Sequence, residues 1–193
     1  MAHVHLNTRQ ETGVAGATNV RTGRHAAPSP LDDAVKLVDT NVFSGPIAVP
    51  KHTTIGDTAL SVHPLALGTS TFGWTLGPDE AHAVLDRHAA VGGDFLDTAD
   101  SYAAGRSELI IGSWLASRRV RDRTTIATKI GRHPDFPGLS PESIIGAVDA
   151  SLARLRTDRI DLLYFHGEDP TVPLEESLGA VGSLIAAGKV RAL

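Results

Sequence analysis

The sequence predicts an α/β fold in which parallel strands alternate with helices. Three observations lead there. From residue 65 onward, short apolar runs alternate with longer stretches of helical periodicity, which is the pattern of successive βα units. IDLLYFH at 160–166 is a continuous apolar run, as expected of a strand covered on both faces. Ionisable side chains stand where the runs end: Asp97 and Tyr102 in FLDTADSY, Lys129 in TIATKI and His166 in DLLYFH. Lys129 follows Tyr102 by 27 residues and His166 follows Lys129 by 37, each about one βα unit. A repeating strand–helix barrel gathers the carboxyl ends of its strands around one mouth, so these groups would meet there.

Residues 1–50 are rich in Gly, Ala, Thr and Asn, and Pro28, Pro30, Pro46 and Pro50 interrupt any long element, so a disordered N-terminal extension is expected, with at most a helical turn or two at 31–38. HTTIGDTALSV alternates weakly around Gly56-Asp57, a pair suited to a tight hairpin turn, and predicts a small lid or plug. LALGTSTFG at 65–73 predicts the first strand of the repeat, and Pro78 opens a helix running to about residue 92. DFLDTA at 94–99 is the next strand. The helix at 106–119 sets Leu109 or Ile110 with Trp114 on one face. TTIATKI at 124–130 is the third strand, and Ser140-Pro141-Glu142-Ser143 starts a helix whose apolar stripe is Ile145, Val148, Leu152 and Leu155. After the strand at 160–166, Leu174, Leu178, Val181 and Ile185 mark a fourth helix ending at Gly188. VRAL begins a fifth strand. The count is about four and a half βα units, half of a closed barrel of eight; an open, doubly wound sheet of five strands fits the count equally well.

Composition narrows the function classes. At 193 residues with 41% hydrophobic and 21% charged, the chain suits a globular domain, and a net charge of -4 without a clustered basic face argues against a nucleic-acid partner. ARLRTDR and SRRVRDR are interrupted by acids and read as solvated helix ends. With no cysteine there is no disulfide, thiolate metal site or thiol nucleophile, which fits a reducing, cytoplasmic setting. No apolar run reaches the roughly 20 residues that span a bilayer. Arg9, Arg21 and Arg24 with a single acid, Glu11, resemble a transit peptide, but Asp32 and Asp33 follow at once. His3-Val4-His5 has metal-ligand spacing yet sits in a polar tail with no strand before it, so no metal is expected.

The strand-end residues form a chemical group. A lysine ammonium about 4 Å from a phenol, at an effective dielectric of about 20, favours the phenolate by roughly 4 kcal/mol. Lys129 would thus make Tyr102 a usable general acid, Asp97 would hold Lys129 in place, and His166 could orient a carbonyl or relay the proton. The group lacks a nucleophile, so it suits protonating a carbonyl oxygen while hydride arrives from elsewhere. The plainer alternatives are an ordinary Asp97–Lys129 ion pair, a rim aromatic at Tyr102 and a satisfied core histidine at 166. Arg106, Arg132 and Trp74 lie near the expected mouth, where the arginines read chiefly as exposed and Trp74 as either pocket or packing.

Residues from about 55 to 193 resemble the N-terminal half of an aldo-keto reductase, a (β/α)8 TIM-barrel type. The matches are LALGTSTFG, the D-x-A-x-x-Y of Asp97, Ala99 and Tyr102, Gly105-x-Ser107-Glu108, ATK ending at Lys129, DLLYFH ending at His166, and GKVRAL. The resemblance implies that Asp97, Tyr102, Lys129 and His166 take the family's four catalytic places. It implies a nicotinamide cofactor, usually NADPH, bound without a Gly-rich fingerprint, with Gly68, Thr69, Ser70 and Asp97 near the nicotinamide ribose, and a small-molecule aldehyde or ketone as substrate. Family members use later strands to grip the nicotinamide and the 2′-phosphate, so residues 51–193 are expected to be a partial barrel. The rival expectation is a non-catalytic half-barrel that self-associates through its open strand edges.

Overall fold

The computed structural model describes residues 52–193. The expected N-terminal extension, the turns at 31–38 and the His3-Val4-His5 pair lie outside the described residues.

The chain first forms a two-stranded antiparallel hairpin of β1 (Thr53–Thr54) and β2 (Ser61–Val62). Its turn is wider than a two-residue one: the Ile55 amide donates to Leu60 O at 3.0 Å and the Thr58 amide to Ile55 O at 3.0 Å. The βα repeat follows, with β3 (Leu67–Gly68), α1 (Pro78–Ala90), β4 (Phe95–Asp97), α2 (Arg106–Arg118), β5 (Thr125–Ile130), α3 (Pro141–Leu155), β8 (Ile160–Phe165), α4 (Leu174–Ala186) and β9 (Val190–Ala192). A second hairpin, β6 (Arg132–His133) with β7 (Phe136–Pro137), is inserted after β5.

The five repeat strands form one parallel sheet in the order β3-β4-β5-β8-β9. Each strand lies beside its predecessor, and right-handed crossovers then put every helix on the same face. A doubly wound sheet would reverse its order at a switch point, and this one does not. The architecture is the opening half of a (β/α)8 barrel. The helix-facing side carries two apolar clusters, one around Leu85, Leu96, Ile111, Trp114 and Ile126, the other around Ile130, Ile144, Val148, Leu163 and Val181. On the inner side Leu60 of the first hairpin packs with Ala127 and Leu162, against Ile55, Phe95 and Ala192. The hairpin is a plug for the amino-terminal end of the strands, one of the two roles expected for it.

Several expectations need correction. The strand at 65–73 pairs only over Leu67–Gly68, because from Thr69 the chain turns and Thr71 O accepts from the amides of Trp74, Thr75 and Leu76. Ile110, not Leu109, lies with Trp114 on the buried face of α2. On α3 the stripe begins at Ile144, and Ile145 is exposed. On α4 the buried residues are Ser177, Ala180, Val181 and Leu184, whereas Leu174, Leu178 and Ile185 are exposed. Small residues there let the helix approach the sheet, and the Ser177 hydroxyl donates to Leu139 O at 2.8 Å. β8 is covered on both faces only in its first half, because Tyr164, on the open inner side, is 41% exposed.

The charged segments are less solvated than their composition suggests. Arg121 is ion-paired with Asp161 at 2.8 Å, and Arg191 reaches the same carboxylate at 3.1 Å. Arg154 pairs with the fully buried Glu108 at 2.7 Å. A close contact makes that last pair possible: a Cβ at Gly112 of α2 would stand 2.3 Å from Arg154 O, so only glycine lets α2 and α3 meet there.

Leu60→Ala should destabilise the protein by about 2–4 kcal/mol in denaturant unfolding, because Leu60 is the buried tip of the plug. A loss below about 1 kcal/mol would mean that the hairpin does not seal the strand ends.

Candidate active site

Asp97 is the last residue of β4 and Lys129 the fifth of six in β5. The parallel register pairs Asp97 with Ala127 and Lys129 with Tyr164. By strand alternation Asp97, Ala127 and Lys129 then project to the inner side, away from the helices. The ammonium of Lys129 donates to Thr98 O at 2.9 Å and to the Tyr102 phenol oxygen at 3.2 Å, and it is ion-paired with Asp97 Oδ1 at 2.7 Å. It also lies 4.9 Å from the centre of the Tyr102 ring.

Tyr102 is brought back over the strand ends by a tight loop. Its amide donates to Ala99 O, and Ala103, Ala104 and Gly105 follow with φ of 50°, 55° and 83°. Left-handed backbone at two alanines costs about 1–2 kcal/mol each, so the surrounding contacts must hold the loop. Ser107 and Glu108 supply them. The Ser107 hydroxyl lies 3.0 Å from Thr69 O, Thr69 Oγ1 and Thr98 Oγ1, tying the ends of β3 and β4 to α2. Glu108 accepts from Thr128 Oγ1 and Arg154 Nε, both at 2.7 Å, tying in β5 and α3. In the sequence Ser107 and Glu108 stand out only as motif positions, and nothing local marks Arg154, because a basic residue near a helix end gives no sign that its partner is buried.

His166 follows β8, its amide donating to Ile130 O at 2.9 Å. Its ring stands edge-on to Tyr102 with centroids 5.8 Å apart, and Nδ1 is 3.3 Å from Ser101 Oγ. Burial, then the charges of Arg132 and Lys129, hold the imidazole below its ordinary pKa against the opposing effect of Asp97, so the ring is neutral at neutral pH. Asp97, Lys129 and His166, with Gly68, Phe95 and Tyr164, line an open cavity of about 580 Å³. A Cβ added at Gly68 would meet no atom within 4 Å, so packing does not require glycine there. Thr69 is buried with its hydroxyl engaged to Asp97 O at 3.0 Å, while Gly68 and Ser70 are exposed.

Other expected residues lie elsewhere. Trp74, 76% exposed, lines a separate groove of about 310 Å³ with Leu76, Pro78 and Leu109. Arg106 donates to Ala103 O at 3.0 Å, bracing the loop from outside. The Arg132 side chain lies against Gly167, beside His166. The remaining histidines are not all surface residues: His63 and His133 are buried, and His82 bonds Ser113 Oγ at 2.9 Å between α1 and α2.

A sequence model of the Aldo/keto reductase family matches residues 64–193. Norsolorinic acid reductase B of Aspergillus parasiticus is 40% identical over 152 residues, which are 70% of this chain and 40% of that protein. The aldo-keto reductase YhdN of Bacillus subtilis is 36% identical over 151 residues, 74% of this chain and 46% of that one. Among solved structures, the holo form of aldo-keto reductase AKR11C1 from Bacillus halodurans superposes with a TM-score of 0.67 at 33% identity, covering 73% of this chain and 48% of that chain. The chain spans less than half the length of each of these relatives.

Behind the loop, Asp100 is fully buried and neither carboxylate oxygen has a hydrogen-bond partner. The amides of Ser101 and Gly131 are near enough to ease its charge, but neither makes a well-aligned bond. Burial first, then the neighbouring Glu108 charge, pushes its pKa up to about 6. Because the folded-state value lies above the unfolded one, the neutral acid favours folding at low pH, and that contribution is lost as pH rises through about 6. Asp100→Asn should therefore raise the melting temperature at neutral pH, by about 2–4 °C for each kcal/mol relieved. The gain should shrink in mildly acidic buffer. A variant that melts lower than the parent at neutral pH would show instead that the charged carboxylate is wanted.

Proposed function

The chain belongs to the aldo/keto reductase family, and from that premise we propose that its strand-end cluster serves the NADPH-dependent reduction of an aldehyde or ketone to an alcohol. The observation that carries this reading is the ammonium of Lys129, ion-paired with Asp97 and hydrogen-bonded to Tyr102, which joins the two into one unit at the strand ends. Tyr102 is the general acid that gives a proton to the carbonyl oxygen. Lys129 stabilises the phenolate left behind, and Asp97 fixes the ammonium and balances its charge. His166, neutral and at hydrogen-bond reach of the same cavity, orients the carbonyl. When bound, the dihydronicotinamide supplies hydride to the carbonyl carbon. Gly68 and Asp97, which line the cavity, and the exposed Ser70 beside them would hold its ribose and ring, with Thr69 bracing that strand end through its bond to Asp97 O. The half-open inner face of the sheet, with Tyr164 exposed, and the bare Leu174, Leu178 and Ile185 on α4 fit a barrel whose further units cover both.

The same exposed surfaces favour a second reading, in which residues 51–193 alone associate through unpaired strand edges and do not turn over substrate. The two readings part in simple experiments. In protein carrying the whole barrel, Tyr102→Phe should lower turnover of a generic aldehyde by at least about 100-fold with little change in NADPH affinity, and Lys129→Met should be comparably severe. A fall of less than about tenfold would remove Tyr102 from the role of acid. Residues 1–193 alone should bind NADPH no better than about millimolar and should self-associate in sedimentation, because contacts from further units are missing. A micromolar dissociation constant from a monodisperse monomer would show that these residues complete a cofactor site.

A further inference from the structure

Ser101 immediately precedes Tyr102 in the loop after β4, and its hydroxyl lies 3.3 Å from His166 Nδ1. Among the described residues neither Ser101 Oγ nor either ring nitrogen of His166 makes any other side-chain hydrogen bond. Nδ1 faces the loop, while Nε2 is not among the buried orphan atoms and belongs to a residue lining the cavity. A serine hydroxyl can donate or accept. If Nδ1 donated, the serine hydrogen would be left without a protein acceptor; if the hydroxyl donates, its hydrogen is used within the protein and the ring's one proton lies on Nε2, at the cavity, where a ligand or water can accept it.

We propose that Ser101 is a positioning residue whose hydroxyl donates to Nδ1 and so holds His166 as the Nε2–H tautomer, presenting a hydrogen-bond donor to the carbonyl oxygen that Tyr102 protonates. The consequence for catalysis rests on the carbonyl-reductase reading; the tautomer does not. The choice matters because a neutral imidazole carries one proton. An Nε2 lone pair would repel a carbonyl oxygen and compete for the Tyr102 proton. The charged and titratable groups facing the ring are Asp97 from β4, Tyr102 from the loop, Lys129 from β5 and Arg132 from β6. The two cations disfavour the imidazolium, which leaves the tautomer as the ring's remaining freedom. The side chain at position 101 then settles whether His166 gives or takes a hydrogen bond.

Long-range proton–nitrogen correlation spectra of the full 193-residue chain, labelled with nitrogen-15 histidine, test this at neutral pH, with His166 assigned from the signal lost in His166→Gln. The expected spectrum shows Nε2 protonated and Nδ1 shifted as a hydrogen-bonded acceptor. Ser101→Ala should move the Nδ1 resonance toward that of an unbonded imidazole nitrogen and populate the Nδ1–H form, while Ser101→Thr should keep the parent pattern. A parent spectrum of the Nδ1–H tautomer overturns the proposal, as does a folded Ser101→Ala variant with unchanged Nδ1 and Nε2 resonances. Since no turnover is read, failure of the Tyr102→Phe assay would overturn the carbonyl-reductase reading and leave this result standing.

Discussion

The ammonium of Lys129 is the point on which the cluster depends. It is ion-paired with the side chain of one neighbouring strand's last residue and donates to the carbonyl of the next residue and to a phenol from the loop beyond. Those three acceptors coincide only if β4 and β5 are parallel, adjacent and in the observed register, with Asp97 opposite Ala127. A one-residue slip would turn Lys129 toward the apolar cluster under the helices, where an unpaired ammonium is prohibitive. The geometry of the cluster and the strand register are thus a single constraint.

Holding that register near a mouth crowded with polar groups leads to buried charge, which the protein handles in two ways. Glu108 and Asp161 are buried but fully partnered, by Arg154 with Thr128 and by Arg121, Arg191 and the Ile126 amide. Such pairs add little net stability over apolar substitutes, yet removing one partner costs about 3–5 kcal/mol, so they act as specificity clamps between elements. Asp100 is the exception, buried without a partner one turn from the site. It resembles the local strain at Ala103 and Ala104, a cost carried where the loop must present Tyr102.

The inner side of the sheet divides along its length. Toward the amino ends of the strands it is closed by Leu60 and Ile55 of the plug. Toward the carboxyl ends Tyr164 borders open space, and the polar cluster stands at the rim of it. This polarity follows from where side chains sit in the register: apolar residues low on the strands, Asp97, Lys129 and His166 at their ends.

Much of this was legible in the chain. The βα alternation, the strand-end positions of Asp97, Lys129 and His166, the plug hairpin and the Ser140 cap all follow from periodicity and local chemistry, which act over a few residues. Recognisable motif order then separated a barrel from an open sheet, which periodicity alone left undecided. What local reasoning misjudged were the faces and the partners. Ile145, Leu174, Leu178 and Ile185 look like core from their spacing, yet the packed faces centre on Ile144, Ser177, Ala180 and Leu184, because the choice among adjacent helical stripes is made by how closely a helix seats on its sheet. Arg154, Arg121 and Ser101 looked like solvated or neutral positions until folding placed Glu108, Asp161 and His166 beside them. Their partners lie 46, 40 and 65 residues away by the numbering, beyond the reach of any local pattern. Hydrophobic periodicity selects the elements; only their docking decides which polar atoms meet.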